Sequence, residues 1–396
     1  MDLMTKEPYN YYQQPTLSRS SVQATNNKQP TTNNQHSRVA QCKQPTTNTS
    51  APLSASNQQP TTNNKMTRKY NVFGLGNALL DMEFEISLEL LEQLKLDKGV
   101  MTLVDEDRQA TIIQKLKGQP CEKSCGGSAA NTMVALSQLG GKGFYSCKVA
   151  GDEIGAYYLE DLENCGLDTN ITKNNRPEGI TGKCLVLVTP DADRTMSTFL
   201  GISADFSPEE LATSAILDSE YVYIEGYLVS SPPAKAAAIK AKEIADKGEV
   251  KTAFSLSDPK MVEYFKPGTL EIIGSGVDLL FANQSEALTM AETQDLAVAM
   301  DYLKTISKTF AITRGGEGSL VFDGEKLIEI APFPVKAIDT LGAGDMYAGA
   351  FLYGITNGMS WEKAGNLASL ASSRIVTRFG PRLETEELKS FIAVDS

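Results

Sequence analysis

The chain has 396 residues, 41% of them hydrophobic, and a formal net charge of −12. That acidic balance lacks the basic footprint on which nucleic-acid binding depends. The single histidine, His36, lies in a polar N-terminal stretch. A Ser-His-Asp triad, a histidine-ligated zinc and an imidazole base are therefore excluded from the remainder, and carboxylates, amides and backbone must carry the chemistry.

Residues 1–66 are rich in Gln, Asn, Thr, Ser and Pro, and QPTTN recurs at Gln29, Gln44 and Gln59, with a degenerate QPT at Gln14. Such a repeat has no apolar face to bury, so the composition predicts a disordered, low-complexity tail. Met66 opens TRKYNVFGLGN with a basic start before a strand, consistent with an extension or a misassigned start codon. No apolar stretch has the length of a secretory signal or a membrane span, which makes a cytoplasmic location with no membrane partner the expectation.

From about residue 67 the pattern alternates between strands and helices. Strands are expected at Tyr70–Gly76 and Phe144–Val149, with a helix over Ser128–Leu139 before the second and another over Glu153–Glu163 after it. Cys184–Thr189 and Thr195–Phe199 read as a hairpin around Pro190–Arg194. Tyr221–Glu225 and Val250–Ser255 flank the helix Pro233–Lys247. Val277–Ala282, Thr309–Thr313 and Ser319–Phe322 follow, with helices near Ser285–Met290 and Leu296–Lys304. This order predicts an α/β fold with a largely parallel sheet and a ligand crevice at the strand ends. The six cysteines, Cys42, Cys121, Cys125, Cys147, Cys165 and Cys184, lack paired metal-ligand spacing and are expected to be free thiols.

Two glycine-rich segments carry the functional signal. In IDTLGAGDMYAGAFLYGI, Gly342 and Gly344 allow a tight turn whose amides, with that of Ala343, converge at a helix mouth bearing Asp345. Such a nest gathers anionic oxygens, and Asp345 is placed to take a proton from an attacking hydroxyl. The same pattern also suits a plain helix cap. In SCGGSAANTMVALSQLGG, Gly126 and Gly127 permit close approach of another group ahead of a small-residue helix. GLGNAL at Gly74 resembles the opening of a dinucleotide fingerprint, but Leu79 stands where a small residue is needed.

Together, DTLGAGDMYAGAF and SCGGSAANTMVALSQLGG resemble the two signatures of the ribokinase-like (PfkB) family of carbohydrate and nucleoside kinases. The resemblance implies a three-layer α/β sandwich over residues 67–396, with a small β lid from segments near 80–104 and 180–202. It implies transfer of the γ-phosphoryl of ATP to an alcohol, with Asp345 as base and Gly342, Ala343 and Gly344 forming the anion hole. Asp81, Asn77, Gly126, Gly127 and Asn131 would contact the acceptor, and Arg194 would neutralise phosphate charge as the lid closes. Thr313, Gly315, Gly318 and Asn366 would line the nucleotide site. Asn283 and Glu286 would organise Mg²⁺ through water, and the backbone near Asp339 and Leu341 a possible K⁺.

The stretch GNALLD, Gly76–Asp81, and GPRL, Gly380–Leu383, are closer to adenosine kinases than to sugar kinases, while GGSAAN is shared with both. A nucleoside acceptor would need an apolar clamp, for which Met101, Phe199 and Tyr227 are candidates. A sugar acceptor remains the alternative, as does a noncatalytic nucleotide or sugar sensor, which would have no need of Asp345. The resemblance is compatible with a monomer or a homodimer.

Overall fold

Apolar runs that alternate in period two give strands able to bury both faces. In the computed structural model, which describes residues 68–191 and 194–394, these runs assemble a nine-stranded sheet. The tail expected over residues 1–66, including its repeats and Cys42, lies outside the described residues. Across the sheet the strands run Leu327–Ile330, Ser319–Phe322, Ser307–Thr313, Val277–Asn283, Lys251–Ser255, Ser219–Glu225, Tyr70–Leu75, Gly143–Ser146 and Asp168–Thr169. Every neighbouring pair from Ser307–Thr313 to Asp168–Thr169 is parallel, and the two strands at the other edge are antiparallel.

The alternation sorts the core into two layers. Tyr221, Tyr223, Ala253, Leu279 and Phe281 face the helices Ser128–Gln138, Ala343–Thr356 and Trp361–Ile375. Val222, Ile224, Phe254 and Leu280 face Pro232–Lys247, Pro259–Ile273, Gln284–Ala291 and Leu296–Ile306. The result is the three-layer sandwich expected from the sequence. On the first face, a Cβ at Gly349 would lie 2.4 Å from the carbonyl oxygen of Thr132, so the helices Ser128–Gln138 and Ala343–Thr356 touch backbone to backbone. That contact brings their N-terminal ends together at one edge of the sheet.

A second sheet of five strands runs Met101–Leu103, Arg194–Gly201, Thr181–Val188, Leu79–Glu85 and Glu122–Gly126. The expected hairpin forms its centre, with Val186 opposite Met196 and Cys184 opposite Thr198. One face packs Phe84, Leu185 and Leu187 on the helices Leu88–Leu94 and Glu106–Lys115, neither of which the sequence pattern singled out. The opposite face presents Cys184, Val186 and Val188, with Leu79, Met196 and Leu341 packed against them. Leu341 belongs to the glycine-rich turn, so this face of the small sheet lies on the crevice. The five cysteines among the described residues are free.

Candidate active site

The parallel strands end in a row at Leu75, Ser146, Glu225, Ser255, Asn283 and Thr313, and the two helix mouths open onto that row. At the second mouth Gly342 occupies the N-cap with φ 73° and ψ 0°, a left-handed conformation costly for any residue with a Cβ, and its would-be Cβ would also press on Pro381 at 2.8 Å. Among the described residues no side chain caps this helix. The amides of Gly344 and Asp345 are therefore open to an incoming anion, whereas the Ala343 N–H, expected to join them, donates to the Thr340 carbonyl at 3.3 Å.

Asp345 sits in that first turn. Its Oδ1 accepts a hydrogen bond from Ser128 Oγ at 2.6 Å, and its Oδ2 a longer one from Asn131 Nδ2 at 3.4 Å. Burial pushes the Asp345 carboxyl up to about 6, against the downward pull of the Ser128 and Asn131 bonds and of the Arg382 charge. Its ionised form is thus a stronger base than a solvated aspartate while still available at neutral pH.

Asp81, on the small sheet, pairs with Cys184 in register and so points to the crevice face. A Cβ at Gly126 would lie 2.0 Å from Asp81 Oδ2, so the glycine leaves the volume that the carboxylate fills. Burial raises Asp81 to about 7, with Arg382 pulling the other way. At Gly127, φ is +99° and a Cβ would meet the Asn77 carbonyl oxygen at 2.1 Å. Asp81, Gly126, Asn131 and Asp345 are therefore brought together around one small volume.

Asn77 is placed differently from the expectation. It is buried, and its backbone N–H and its Nδ2 donate to Glu225 Oε1 at 2.6 and 2.9 Å. Glu225 also accepts from the Ala129 N–H at 2.8 Å, and burial lifts it to about 7. This carboxylate braces the Gly76–Asn77 turn against the first helix mouth. It ends an ordinary apolar strand, and nothing local marked it.

Arg194 also departs from its expected role. Its guanidinium is paired with Asp339 and lies 3.4 Å from both carboxylate oxygens of Glu83, so it ties the small sheet to the glycine-rich turn instead of facing phosphates. The Asp339 carboxylate further accepts from the Leu341 N–H at 2.7 Å and the Gly380 N–H at 3.0 Å. These bonds occupy the Asp339 carboxylate, with the Leu341 N–H as one donor; a K⁺ at the backbone there would use carbonyl oxygens, which these bonds leave untouched.

On the nucleotide side, Asn283 and Thr313 are neighbours at adjacent strand ends. Asn283 and Glu286 cap the helix Gln284–Ala291 reciprocally: Glu286 Oε1 accepts from Asn283 Nδ2 at 2.6 Å, and Glu286 Oε2 from the Asn283 N–H at 2.9 Å. Burial, opposed by the backbone bond from Asn283 and reinforced by Asp258 and Asp345, raises Glu286 to about 7. No group of three acidic, cysteine or histidine side chains is arranged for a metal among the described residues. The pair fits a Mg²⁺ held by phosphates and waters, a habit of that ion, with the crowded carboxylates relieved by its charge. Gly315 and Gly318 adopt φ +57° and +83° in the turn after Thr313, and Asn366 is half-buried in the helix Trp361–Ile375 that covers the edge strands.

Of the candidate clamp, Met101 pairs in register with Met196, which is on the crevice face. Tyr227 is half-buried just past the Glu225 strand end. Phe199 pairs with Lys183, one residue out of phase with Cys184 and Val186, which turns it to the face away from the crevice. Met196 and Val186 take the place expected for it.

The profile of the pfkB family carbohydrate kinases matches residues 101–388. An adenosine kinase of Dictyostelium discoideum is 28% identical over 335 residues, covering 79% of this chain and 96% of that protein. A 5-dehydro-2-deoxygluconokinase of Clostridium beijerinckii is 29% identical over 273 residues, covering 64% of this chain and 79% of that one. Among solved structures, an adenosine kinase from Sinorhizobium meliloti superposes with a TM-score of 0.77 at 34% identity, covering 83% of this chain and all of that one (100%). A probable sugar kinase from Rhizobium etli CFN 42 superposes with a TM-score of 0.77 at 30% identity, covering 83% and 99%.

Proposed function

We propose, from the premise that the chain belongs to the pfkB family of carbohydrate and nucleoside kinases, that it transfers the γ-phosphoryl of ATP to the 5'-hydroxyl of adenosine or a related nucleoside. The observation that carries the chemistry is Asp345, held at an uncapped helix mouth by Ser128 and Asn131. The acceptor hydroxyl, set by Asp81 and Asn131, attacks the γ-phosphorus as its proton passes to Asp345. An O–P bond forms, the bond to the bridging oxygen breaks and ADP leaves. The open amides of Gly344 and Asp345 take up the charge on the transferred group, joined by that of Ala343 once it releases the Thr340 carbonyl. Asn283 and Glu286 would hold Mg²⁺ through water, and its charge would neutralise the phosphates. Thr313, Gly315, Gly318 and Asn366 serve the nucleotide.

The nucleoside reading is supported by the GNALLD turn, and by adenosine kinase likenesses extending over 79% of the chain where those to 5-dehydro-2-deoxygluconokinases extend over 64% to 73%. The apolar crevice face of Met196, Val186 and Leu341 suits a flat base. A sugar acceptor is the second reading, favoured by the equal TM-score of the probable sugar kinase. The test is ATP-dependent turnover of the full chain with Mg²⁺ on adenosine, inosine, guanosine, ribose, fructose and 5-dehydro-2-deoxygluconate. Selective phosphorylation of a nucleoside is expected; turnover of sugars alone rejects the nucleoside reading and keeps Asp345 as base.

A further inference from the structure

The segment Gly380–Leu383 contributes no group to either glycine signature, yet it touches both helix mouths. The Gly380 N–H donates to Asp339 Oδ2 at 3.0 Å, and Pro381 fills the space beside Gly342. The Leu383 carbonyl accepts from Gln138 Nε2 at 2.7 Å, at the far end of the helix that carries Asn131. Between these anchors Arg382 is half-buried. Its Nε donates to Asn131 Oδ1 at 3.0 Å and its Nη1 to Asp161 Oδ2 at 2.7 Å, while its buried Nη2 has no partner among the described residues.

An asparagine amide has one acceptor and one donor end, and nothing in its shape distinguishes them. Arg382 carries only donors, so the end it touches must be the oxygen. That assigns the amino end of Asn131 to Asp345 Oδ2, the contact at 3.4 Å. Were the amide reversed, Arg382 would face a donor, and Asp345 would face a second acceptor.

We infer that Arg382 is a positioning residue for the phosphoryl transfer: it fixes the Asn131 amide with its N–H donors toward Asp345 and the acceptor, and with its flanking residues sets the spacing of the two helix mouths. The inference rests on the kinase reading above. Its effect falls on the alignment of base and acceptor, so it is felt in kcat and in acceptor use, and hardly in ATP binding.

The experiment measures kcat and both KM values for Arg382→Lys, Arg382→Gln, Asn131→Ala and the Arg382→Gln/Asn131→Ala double variant, with thermal unfolding as a check on folding. Each Arg382 variant is expected to lose about tenfold to a hundredfold in kcat with KM for ATP within about twofold, and the lysine variant is not expected to restore turnover, because it keeps the charge without the fork. The double variant is expected to be no more than about twofold below Asn131→Ala, since both substitutions remove one arrangement. Losses that multiply, recovery in the lysine variant or near-normal kcat in the glutamine variant each overturn the inference.

Should the Arg382 variants fail to fold, Asn131→Asp decides. It still accepts from Nε but offers no donor to Asp345, so a loss of about tenfold or more in kcat supports the inference and unchanged kcat overturns it. Wild-type turnover is the control throughout. If no acceptor in the panel is phosphorylated, the kinase reading itself fails, whereas active wild type with indifferent variants rejects only the role of Arg382.

Discussion

Replacing Asp345 by asparagine should separate stability from catalysis, because the carboxylate is held where its charge is unwelcome. Burial raises it from the ordinary 3.8 to about 6. At ~1.4 kcal/mol per pKa unit, keeping it ionised at neutral pH costs the fold up to ~3 kcal/mol; the half-open crevice reduces this to ~1–3 kcal/mol. The sign follows from linkage. A carboxyl whose folded pKa lies above its unfolded one favours the fold fully at pH below about 4, and that contribution is lost as the pH rises through 6. The amide introduced at this position would keep an acceptor for Ser128, but its amino end would meet that of Asn131, a mismatch costing ~1 kcal/mol. Asp345→Asn should therefore be as stable as wild type or more so, by up to ~2 kcal/mol, at pH 7.5, and should lose that advantage at pH 4. Turnover should fall by about 10²-fold or more, since no other base among the described residues is placed to replace it. Thermal unfolding at the two pH values and coupled release of ADP measure both. Turnover near wild type would refute Asp345 as base, and equal destabilisation at both pH values would refute the electrostatic argument.

The pH dependence of kcat/KM in the wild type should show an acid limb between about pH 6 and 7, with activity rising as Asp345, Asp81 and Glu286 lose their protons; Ser128→Ala removes a bond that favours the ionised form of Asp345, and should move its part of the limb upward. Gly126→Ala puts a methyl group in the volume of the Asp81 carboxylate, and should raise the KM for acceptor by about tenfold or more while leaving that for ATP within about twofold, as steady-state kinetics would show. Arg194→Met leaves Asp339 buried without its cation and should destabilise the chain by ~3 kcal/mol in denaturant unfolding; a change below ~1 kcal/mol would mean that the pair does not hold the small sheet to the turn.

What the sequence made legible was chemistry carried by neighbours in the chain. Gly342, Gly344 and Asp345 lie within four residues, and the left-handed turn at Gly342 is a local demand that only such a pattern meets. The sheet order was legible in class because period-two strands and intervening helices dictate parallel crossovers. The helices Leu88–Leu94 and Glu106–Lys115 were not: each is short, and its apolar side is narrow until the strands carrying Leu185 and Leu187 supply the other half of the core. Phe199 was misplaced because its composition fits a clamp and only the hairpin register, which pairs it with Lys183, reveals the face.

The second set of partners lies far apart in sequence and reverses two simple assignments. Arg194 has the charge to meet phosphate and Asp339 the charge to meet a cation, and each taken alone invites a ligand. Folded together, with Glu83 beside them, they meet one another. Buried charges need partners more than ligands need charges, because leaving either member alone costs several kcal/mol. Arg382 follows the same logic with Asp161, yet it also reaches Asn131, and so couples a structural ion pair to Asp345, the proposed base. Among the described residues the Asp345 carboxylate is left with hydroxyl and amide donors and no cation bonded to it, which is why burial dominates its proton affinity; as the proposed base it would act beside the open amides of the helix mouth.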